Sequence, residues 1–306
     1  MRRSFSNIIE ELALKDDKII FLTGDLGFNA FENLQKKMGE RFINMGVAEQ
    51  NMISVAAGMA SKGFKVFCYS IAPFIVYRSL EQIRNDVCFH KLPVFLVGNG
   101  GGYGYGIMGS SHHALEDIAS LAGLPDMTCF IPAFKQDVEP IVQKIITQNK
   151  PAYLRLGLGV EHLGDFNKNT SFQKINSAVN PKITVAVLGP VADNLLGDSQ
   201  FNKLKDKIDV FTITEIPYLK IDDNFVSSLQ KTKKLLVIEE HKKHGGLSNH
   251  LSSDILESKI QLDEFCGLHA KGYPSNTYGN QKFHQKESGL DSENIFKIIN
   301  TWLTKS

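Results

Sequence analysis

Hydrophobic runs of strand length alternate with amphipathic segments of helix length along the first half of the chain. Four apolar runs occupy residues 18–25, 65–71, 93–99 and 128–133. The segments between them are long enough for helices, and a further helix and strand follow at 134–148 and 151–157. Strands that alternate with helices predict a mostly parallel sheet that is covered on both faces.

The alternation restarts after a polar stretch with little periodicity. Residues 161–182 are therefore predicted as a linker. Beyond them, strand-like runs recur at 183–190, 208–216 and 234–241, separated first by a connection with few helical signals, and the chain ends in an amphipathic helix. The pattern predicts an α/β fold with two domains, at 1–160 and 183–306, each a mostly parallel sheet flanked by helices.

Composition narrows the class of protein. The chain has 306 residues, is 42% hydrophobic and has a net charge of +1, with Lys and Arg scattered along it. This distribution gives no support for binding to nucleic acid or to a membrane surface. The N-terminus lacks the apolar core of a secretory signal, and no apolar run is long enough to span a bilayer. Four separated cysteines without CxxC spacing indicate reduced thiols, so a cytoplasmic location is expected.

A glycine-rich segment, residues 98–117, lies between a predicted strand and a predicted helix. A formal GxGxxG match begins at Gly104, but it starts several residues after the strand and lacks the acidic residue of a dinucleotide site. No Lys-Ser/Thr follows the glycines, which excludes a P-loop. Two interpretations remain: a flexible surface loop, or a loop that lines a cleft at the carboxyl end of the sheet and presents His112 and His113.

Four segments resemble, in order, the C-terminal half of a transketolase, which comprises a pyrimidine-binding domain and a C-terminal domain. They are "GVAEQNM" (46–52), "PFIVYRSLEQIRND" (73–86), "GSSHHALEDIASLAGLPDM" (109–127) and "EEHKKHGGLSNHL" (239–251). The resemblance implies thiamine diphosphate as cofactor, bound at an interface between two domains that two subunits normally contribute.

The family's GDG motif, which holds the diphosphate and its metal, is absent from the sequence; "TGDLGFNAF" (23–31) contains GD only. The resemblance therefore implies one subunit of a split transketolase. A separate N-terminal subunit would carry the GDG motif and hold Mg²⁺ or Ca²⁺, with no metal site in this chain. Self-association, an α2β2 heterotetramer and sugar substrates are also implied.

The resemblance assigns the cofactor contacts to four residues. Glu49 matches the family glutamate that hydrogen-bonds the N1′ nitrogen of the aminopyrimidine and favours its imino tautomer. Phe74 and Tyr77 match aromatic residues that pack on the pyrimidine, and Ile71 replaces a third aromatic. From the residues alone, a first-turn acid that complements the helix dipole is the favoured interpretation of Glu49, and the two aromatic residues could be core positions.

Substrate contacts are expected near the second loop. His112 aligns with a family histidine that contacts substrate hydroxyl groups, so the resemblance makes it catalytic, and His113 is adjacent. Met108 stands where transketolases have an aspartate that reads a donor hydroxyl group. A sugar other than the ordinary pentose phosphates is therefore a serious alternative.

A family arginine that binds the sugar phosphate is also missing. Leu158 occupies its position, and a phosphate needs fixed cationic donors. Arg155 and Arg2 are weaker candidates for this role. In the second domain, Glu239, His241 and His244 have no fourth ligand at sensible metal spacing and are interpreted as structural or interface groups.

Four other functions remain open at this point. The chain could be the β-subunit of a 2-oxoacid dehydrogenase or part of a carboligase that resembles deoxyxylulose-phosphate synthase. It could also be a structural subunit without catalysis. A dinucleotide-binding oxidoreductase rests only on the glycine match.

Overall fold

The computed structural model describes residues 1–27, 29–162 and 166–304, and these residues form two sheets surrounded by helices. The strands are β1 (Ile19–Thr23), β2 (Phe42–Asn44), β3 (Lys65–Ile71), β4 (Val94–Asn99), β5 (Thr128–Phe130), β6 (Ala152–Leu156), β7 (Phe172–Asn176), β8 (Ile183–Leu188), β9 (Ile208–Ile213), β10 (Glu215–Ile216), β11 (Lys234–Glu239) and β12 (Glu264–His269). The helices are α1 (Arg2–Lys15), α2 (Glu32–Met38), α3 (Glu49–Ala60), α4 (Ala72–Tyr77), α5 (Leu80–Gln82), α6 (Asp117–Leu121), α7 (Val138–Gln148), α8 (Asp193–Leu196), α9 (Ser199–Leu204), α10 (Asp223–Thr232), α11 (Leu247–Glu257), α12 (Gln281–Ser288) and α13 (Ser292–Thr304).

The first sheet has seven strands in the order β10-β5-β6-β4-β3-β1-β2, and all its pairings are parallel except the one between β10 and β5. Its central strands are almost continuously apolar and buried, as expected for a sheet with helices on both faces. Successive side chains point to opposite faces. Helices α1 and α7 pack on one face, and α3 packs on the other. The predicted α/β class is confirmed.

The second sheet has five strands in the order β12-β11-β8-β9-β7, parallel except for the pair β7 and β9. Strand β7 corrects the predicted linker at 161–182, because residues 172–176 of that segment are an edge strand. Only Phe172 and Gln173 of β7 are buried, and so short a half-buried strand leaves little periodicity in the sequence. Residues 163–165 of the linker lie outside the described residues.

One hydrophobic cluster spans both sheets. Strand β10 lies between β9 and β11 of the second sheet along the chain but pairs with β5 of the first sheet, with Glu215 opposite Phe130. One cluster of buried residues joins Met52 and Leu96 of the first unit to Phe211 and Phe225 of the second. The two units are therefore packed against each other across apolar surface.

Two helical predictions need correction. The single helix expected over residues 74–90 is broken into α4, α5 and a π-helical turn over Ile83–Cys88. Ser79 donates its hydroxyl to the Ile75 carbonyl at the break, and such side-chain bonds compete with the helical ladder. The connection predicted to have few helical signals contains α8 and α9, and Asp198 caps α9 by accepting from Gln200 N.

Among the described residues, no helix combines the length and the apolar character needed to cross a membrane.

Candidate active site

Glu49 is the first residue of α3 and is buried, with 3% of its surface exposed. Ala48, which precedes it, has no side chain that could cap the helix. Because Glu49 is in the first turn, its carboxylate lies at the positive end of the helix dipole. The buried face of the helix continues through Met52 and Ile53 into the core. A carboxylate at this position is stabilised by the helix but largely removed from water.

Two side chains satisfy the Glu49 carboxylate. Ser70 on β3 donates its hydroxyl to Oε1 at 2.9 Å, and Arg78 donates Nη1 to Oε2 at 3.0 Å. A buried carboxylate needs such donors, because burial without hydrogen bonds costs several kcal/mol. The Arg78 side chain is 45% exposed, so the second donor lies at the edge of solvent.

A groove of about 750 Å³ opens over the start of α3. It is lined by Val47, Ala48, Glu49, Gln50, Asn51 and Arg78. Val47 is 72% exposed at its rim. The groove thus presents one buried acid to an open, partly apolar surface.

Aromatic residues from α4 lie next to this groove. The guanidinium carbon of Arg78 is 3.9 Å from the centroid of the Phe74 ring. The Tyr77 hydroxyl contacts Oε2 of Glu116 at 3.2 Å and accepts from Glu116 N at 3.1 Å. Ile71 is buried at the end of β3, which directly precedes α4. Arg78 therefore links Phe74 to Glu49, and Tyr77 and Ile71 lie on the same segment of chain as Phe74.

His112 is brought to the same region by the glycine-rich loop. Its ring meets the Phe74 ring edge to face at 5.0 Å and lies 6.4 Å from the Tyr105 ring. The Ser111 hydroxyl is 3.1 Å from Nδ1. Met108, in the turn before His112, is 52% exposed. The structure thus links His112 to Glu49 through Phe74 and Arg78.

His113 points away from this region. It is 5% exposed, and its ring packs between Tyr103 at 5.0 Å and His284 at 4.8 Å, which places it at the contact with the second unit. Burial lowers its pKa, and its Nε2 has no hydrogen-bond partner in the described part of the chain. The predicted substrate role of His113 does not fit this buried position.

Arg155 is also unavailable to a substrate. It is 4% exposed, and its Nε donates to Asp117 Oδ2 at 2.9 Å. Its Nη2 donates to the carbonyls of Ala114 and Glu240, the latter at 3.0 Å. All of these donors are used in holding the loop and the second unit together. The suggestion that Arg155 replaces a phosphate-binding arginine is therefore incorrect.

Arg2 lies on the other face of the first sheet. It starts α1, which packs on the face of the sheet that includes Tyr69, whereas the next residue on the strand, Ser70, reaches Glu49 on the opposite face. This alternation separates Arg2 from the groove. The predicted substrate contact of Arg2 does not fit its position.

The glycine-rich loop is packed rather than freely exposed. Gly102 has φ of +66°, and a Cβ there would clash with the Glu240 carboxylate, so only glycine fits. Tyr103 next to it is fully buried and donates its hydroxyl to the Gly272 carbonyl at 2.9 Å. This packing gives no support for nucleotide binding by the loop.

Glu239, the last residue of β11, and His241 have structural roles. Glu239 accepts from Leu247 N and Ser248 N and thereby anchors the start of α11. His241 accepts from Ala119 N at 3.3 Å. Within the described ranges, no three His, Cys, Asp or Glu side chains are placed to hold a metal ion.

His241 predicts a pH dependence of stability. Burial lowers its pKa to about 4, below the value of about 6.5 in an unfolded chain. Between these values only the unfolded chain binds the proton, so acidification stabilises the unfolded state. We expect this residue to reduce the free energy of unfolding by about 2 kcal/mol between pH 7 and pH 5.

The test is urea unfolding at both pH values for the wild type, for His241→Gln and for His90→Gln, which changes an exposed histidine. The His241 variant should lose less stability on acidification than the other two proteins. Equal losses in all three would contradict the assignment.

Comparison with known protein families shows which family the chain belongs to. Residues 1–158 match the family described as "Transketolase, pyrimidine binding domain". The chain belongs to the transketolase family. The match covers the first sheet apart from β10, together with α3, α4 and the His112 loop.

Similar proteins extend the transketolase match to the second unit. The chain is 27% identical over 313 residues to a subunit of the apulose-4-phosphate transketolase of Phocaeicola vulgatus, with 99% of this chain and 97% of that protein covered. It is 28% identical to a 1-deoxy-D-xylulose-5-phosphate synthase of Clostridium perfringens, covering 95% of this chain but 47% of the synthase. A solved structure described as "Split gene transketolase, inactive beta4 tetramer" aligns with a TM-score of 0.81 and 25% identity, covering 99% of this chain and 97% of that one. These matches confirm the resemblance to the C-terminal half of a split transketolase.

Sequence reasoning missed Ser70 and Arg78, the two donors to the Glu49 carboxylate. Arg78 follows Tyr77 and stands four residues after Phe74, a spacing that places the two on one helical face. That spacing was a usable signal. Ser70 carried none, because a single hydroxyl in an apolar strand does not specify its partner.

Proposed function

We propose that this chain is the pyrimidine-domain subunit of a two-subunit, thiamine-diphosphate-dependent enzyme that transfers a two-carbon ketol unit between sugars. The observation that carries the proposal is Glu49: a buried carboxylate at a helix start, facing an open groove. A first-turn acid that only complements the helix dipole has no need of burial or of two side-chain donors.

The residues around Glu49 fit an aminopyrimidine. One edge of such a ring needs a carboxylate that accepts or shares a proton, and its face needs an aromatic or apolar wall. Glu49 supplies the first requirement, and Phe74, Tyr77 and Ile71 supply the second. When bound, thiamine diphosphate provides a nucleophilic carbon and an electron sink for cleaving the bond next to a ketone.

This chain's own residues have separate tasks in the proposal. Glu49 holds a proton at N1′ of the pyrimidine, and Ser70 fixes the orientation of its carboxylate. Phe74 orients the ring and, with α4, excludes water from one side of it. His112, whose ring touches Phe74, holds or moves a proton at a substrate hydroxyl group.

The diphosphate and its divalent metal are proposed to bind to a separate polypeptide. The GDG motif is absent from this sequence, and the related Phocaeicola vulgatus protein is named as one subunit of a transketolase rather than as a whole enzyme. We propose an α2β2 assembly in which each cofactor lies between this chain and an N-terminal transketolase subunit. The name of the solved relative, an inactive β4 tetramer, is in keeping with activity that requires a second kind of subunit.

The sugar is proposed to be one that needs no cation at position 158. Leu158 is 72% exposed there, and Arg155 is committed to Asp117. Met108 likewise offers no acceptor to a sugar hydroxyl group. These positions support a sugar that differs from the ordinary pentose phosphates near both residues.

A second candidate is a carboligase of the deoxyxylulose-phosphate synthase type. The similarity to the Clostridium perfringens synthase, which covers nearly all of this chain, favours it over a 2-oxoacid dehydrogenase β-subunit or a structural subunit. Product analysis with pyruvate as the donor discriminates the carboligase from the ketol transferase, because a ketol transferase takes its two-carbon unit from a ketose.

The first experiment is calorimetry of thiamine diphosphate with Mg²⁺. It is performed on this chain alone and on its mixture with the N-terminal transketolase subunit of the same organism. We expect heat of binding only in the mixture. Tight binding by this chain alone would contradict the split site, and no binding by the reconstituted mixture would contradict the proposed cofactor.

A further inference from the structure

Arg78 makes two contacts at once at the mouth of the groove. Its Nη1 donates to Glu49 Oε2 at 3.0 Å, while its guanidinium carbon lies 3.9 Å from the centroid of the Phe74 ring. A guanidinium is planar and cationic, so it can stack on an aromatic face and donate to a carboxylate at the same time. The Arg78 side chain has no other hydrogen bond or ion pair among the described residues.

These two contacts are the ones that the proposed aminopyrimidine requires. It too is a flat, polarisable ring that must lie against Phe74 and hydrogen-bond the Glu49 carboxylate. Two planar groups cannot occupy one ring face and one carboxylate oxygen together. We propose that the Arg78 guanidinium occupies the pyrimidine position in the free subunit, is displaced when the cofactor binds, and thereby sets the cofactor affinity. This inference rests on the proposed function.

The structure permits this displacement. Arg78 is the residue directly after α4, at the break in the chain before α5, and its side chain is 45% exposed. It can turn out of the groove into solvent without moving the core, because its contacts are with Glu49 and Phe74, and neither belongs to the buried cluster beneath α3. Glu49 keeps its bond from Ser70 when Arg78 leaves.

The arrangement also gives Arg78 a task in the free subunit. Glu49 is buried, and an unpaired buried carboxylate is strongly destabilising. Arg78 compensates this charge until the cofactor arrives. Its removal should therefore weaken the free subunit and favour the cofactor complex.

The test is calorimetry of thiamine diphosphate with Mg²⁺ on the two-subunit complex. Three proteins are compared: the wild type, Arg78→Met, which keeps an apolar stem but removes the guanidinium, and Arg84→Met. The last is a matched control, because Arg84 also lies over an aromatic ring, Phe89, at 4.5 Å. We expect Arg78→Met to lower the Kd by about tenfold and Arg84→Met to leave it unchanged. An unchanged or raised Kd for Arg78→Met would overturn the inference and leave the proposed function intact.

A second measurement needs no cofactor. Unfolding of the free subunit is followed for Glu49→Gln, Arg78→Met and the double variant, and the two single effects are expected to be non-additive. Additive effects would overturn the pairing on which the inference depends. If the wild-type complex binds no thiamine diphosphate, the proposed function fails, and the displacement of Arg78 fails with it.

Discussion

Replacing Glu49 with glutamine is expected to slow proton exchange at C2 of bound thiamine diphosphate by about 10²–10⁴-fold, the usual size of a lost acid–base contribution. Glutamine keeps the size and the hydrogen-bonding capacity of the side chain. It cannot share a proton with a ring nitrogen as a carboxylate does. The measurement is deuterium exchange at C2 in the two-subunit complex, which does not require the sugar substrates to be known.

The control for Glu49→Gln is Asp223→Asn. Asp223 is also the first residue of a helix, α10, but its side chain is exposed in the second unit. Both substitutions remove a carboxylate from a helix start, which by itself changes stability by about 0.3–1 kcal/mol. Only the Glu49 variant should slow the exchange. Equal exchange rates in the two variants would mean that Glu49 is a helix-start acid and nothing more.

The location of Glu49 was predictable because its signal is local. The segment "GVAEQNM" combines a helix start, a single acid and small residues in seven consecutive positions. The same holds for the alternation of strands and helices, which indicated the α/β class before any contact was known. Local patterns of this kind reflect the burial of one helix face or one strand at a time.

The misassigned residues depend on contacts between distant parts of the chain. Arg155 lies within the strand after which the family has its phosphate-binding arginine, yet its partner Asp117 lies 38 residues away in the sequence, and Glu240 lies 85 residues away. His113 is next to His112, but its ring packs on His284 of the second unit, a contact that the sequence does not reveal. The edge strand β10 likewise pairs with a sheet formed by an earlier part of the chain. Periodicity carries no information about such pairings.

The same distant contacts support the candidate site. Arg155 binds the carbonyl of Ala114, two residues after His112, and the carbonyl of Glu240 in the second unit. Asp117, at the start of α6, neutralises Arg155 and accepts from the Tyr153 hydroxyl at 2.7 Å. The loop that carries His112 is thus fixed from beneath by a buried ion pair. The position of His112 and the packing of the two units therefore both depend on the Arg155 guanidinium.

Replacing Asp117 with asparagine is accordingly expected to reduce the free energy of unfolding by about 3–5 kcal/mol, the usual cost of leaving one charge of a buried pair uncompensated. Asp117 is fully buried and Arg155 is 4% exposed, so water cannot replace the lost carboxylate. Asparagine keeps the shape of the side chain and can still accept one hydrogen bond. The decrease in the free energy of unfolding therefore reflects the lost charge rather than a cavity. The measurement is urea unfolding at neutral pH.

Asp126→Asn is the matched control, because Asp126 also pairs with two cations, Lys91 at 3.2 Å and Lys150 at 3.1 Å, but does so at the surface. Surface pairs contribute about 0–1 kcal/mol, so this variant should remain close to the wild type. The double variant Asp117→Leu with Arg155→Met removes both buried charges and should be more stable than Asp117→Asn. If Asp117→Asn were as mild as the control, the buried pair would not be what fixes the His112 loop against the second unit.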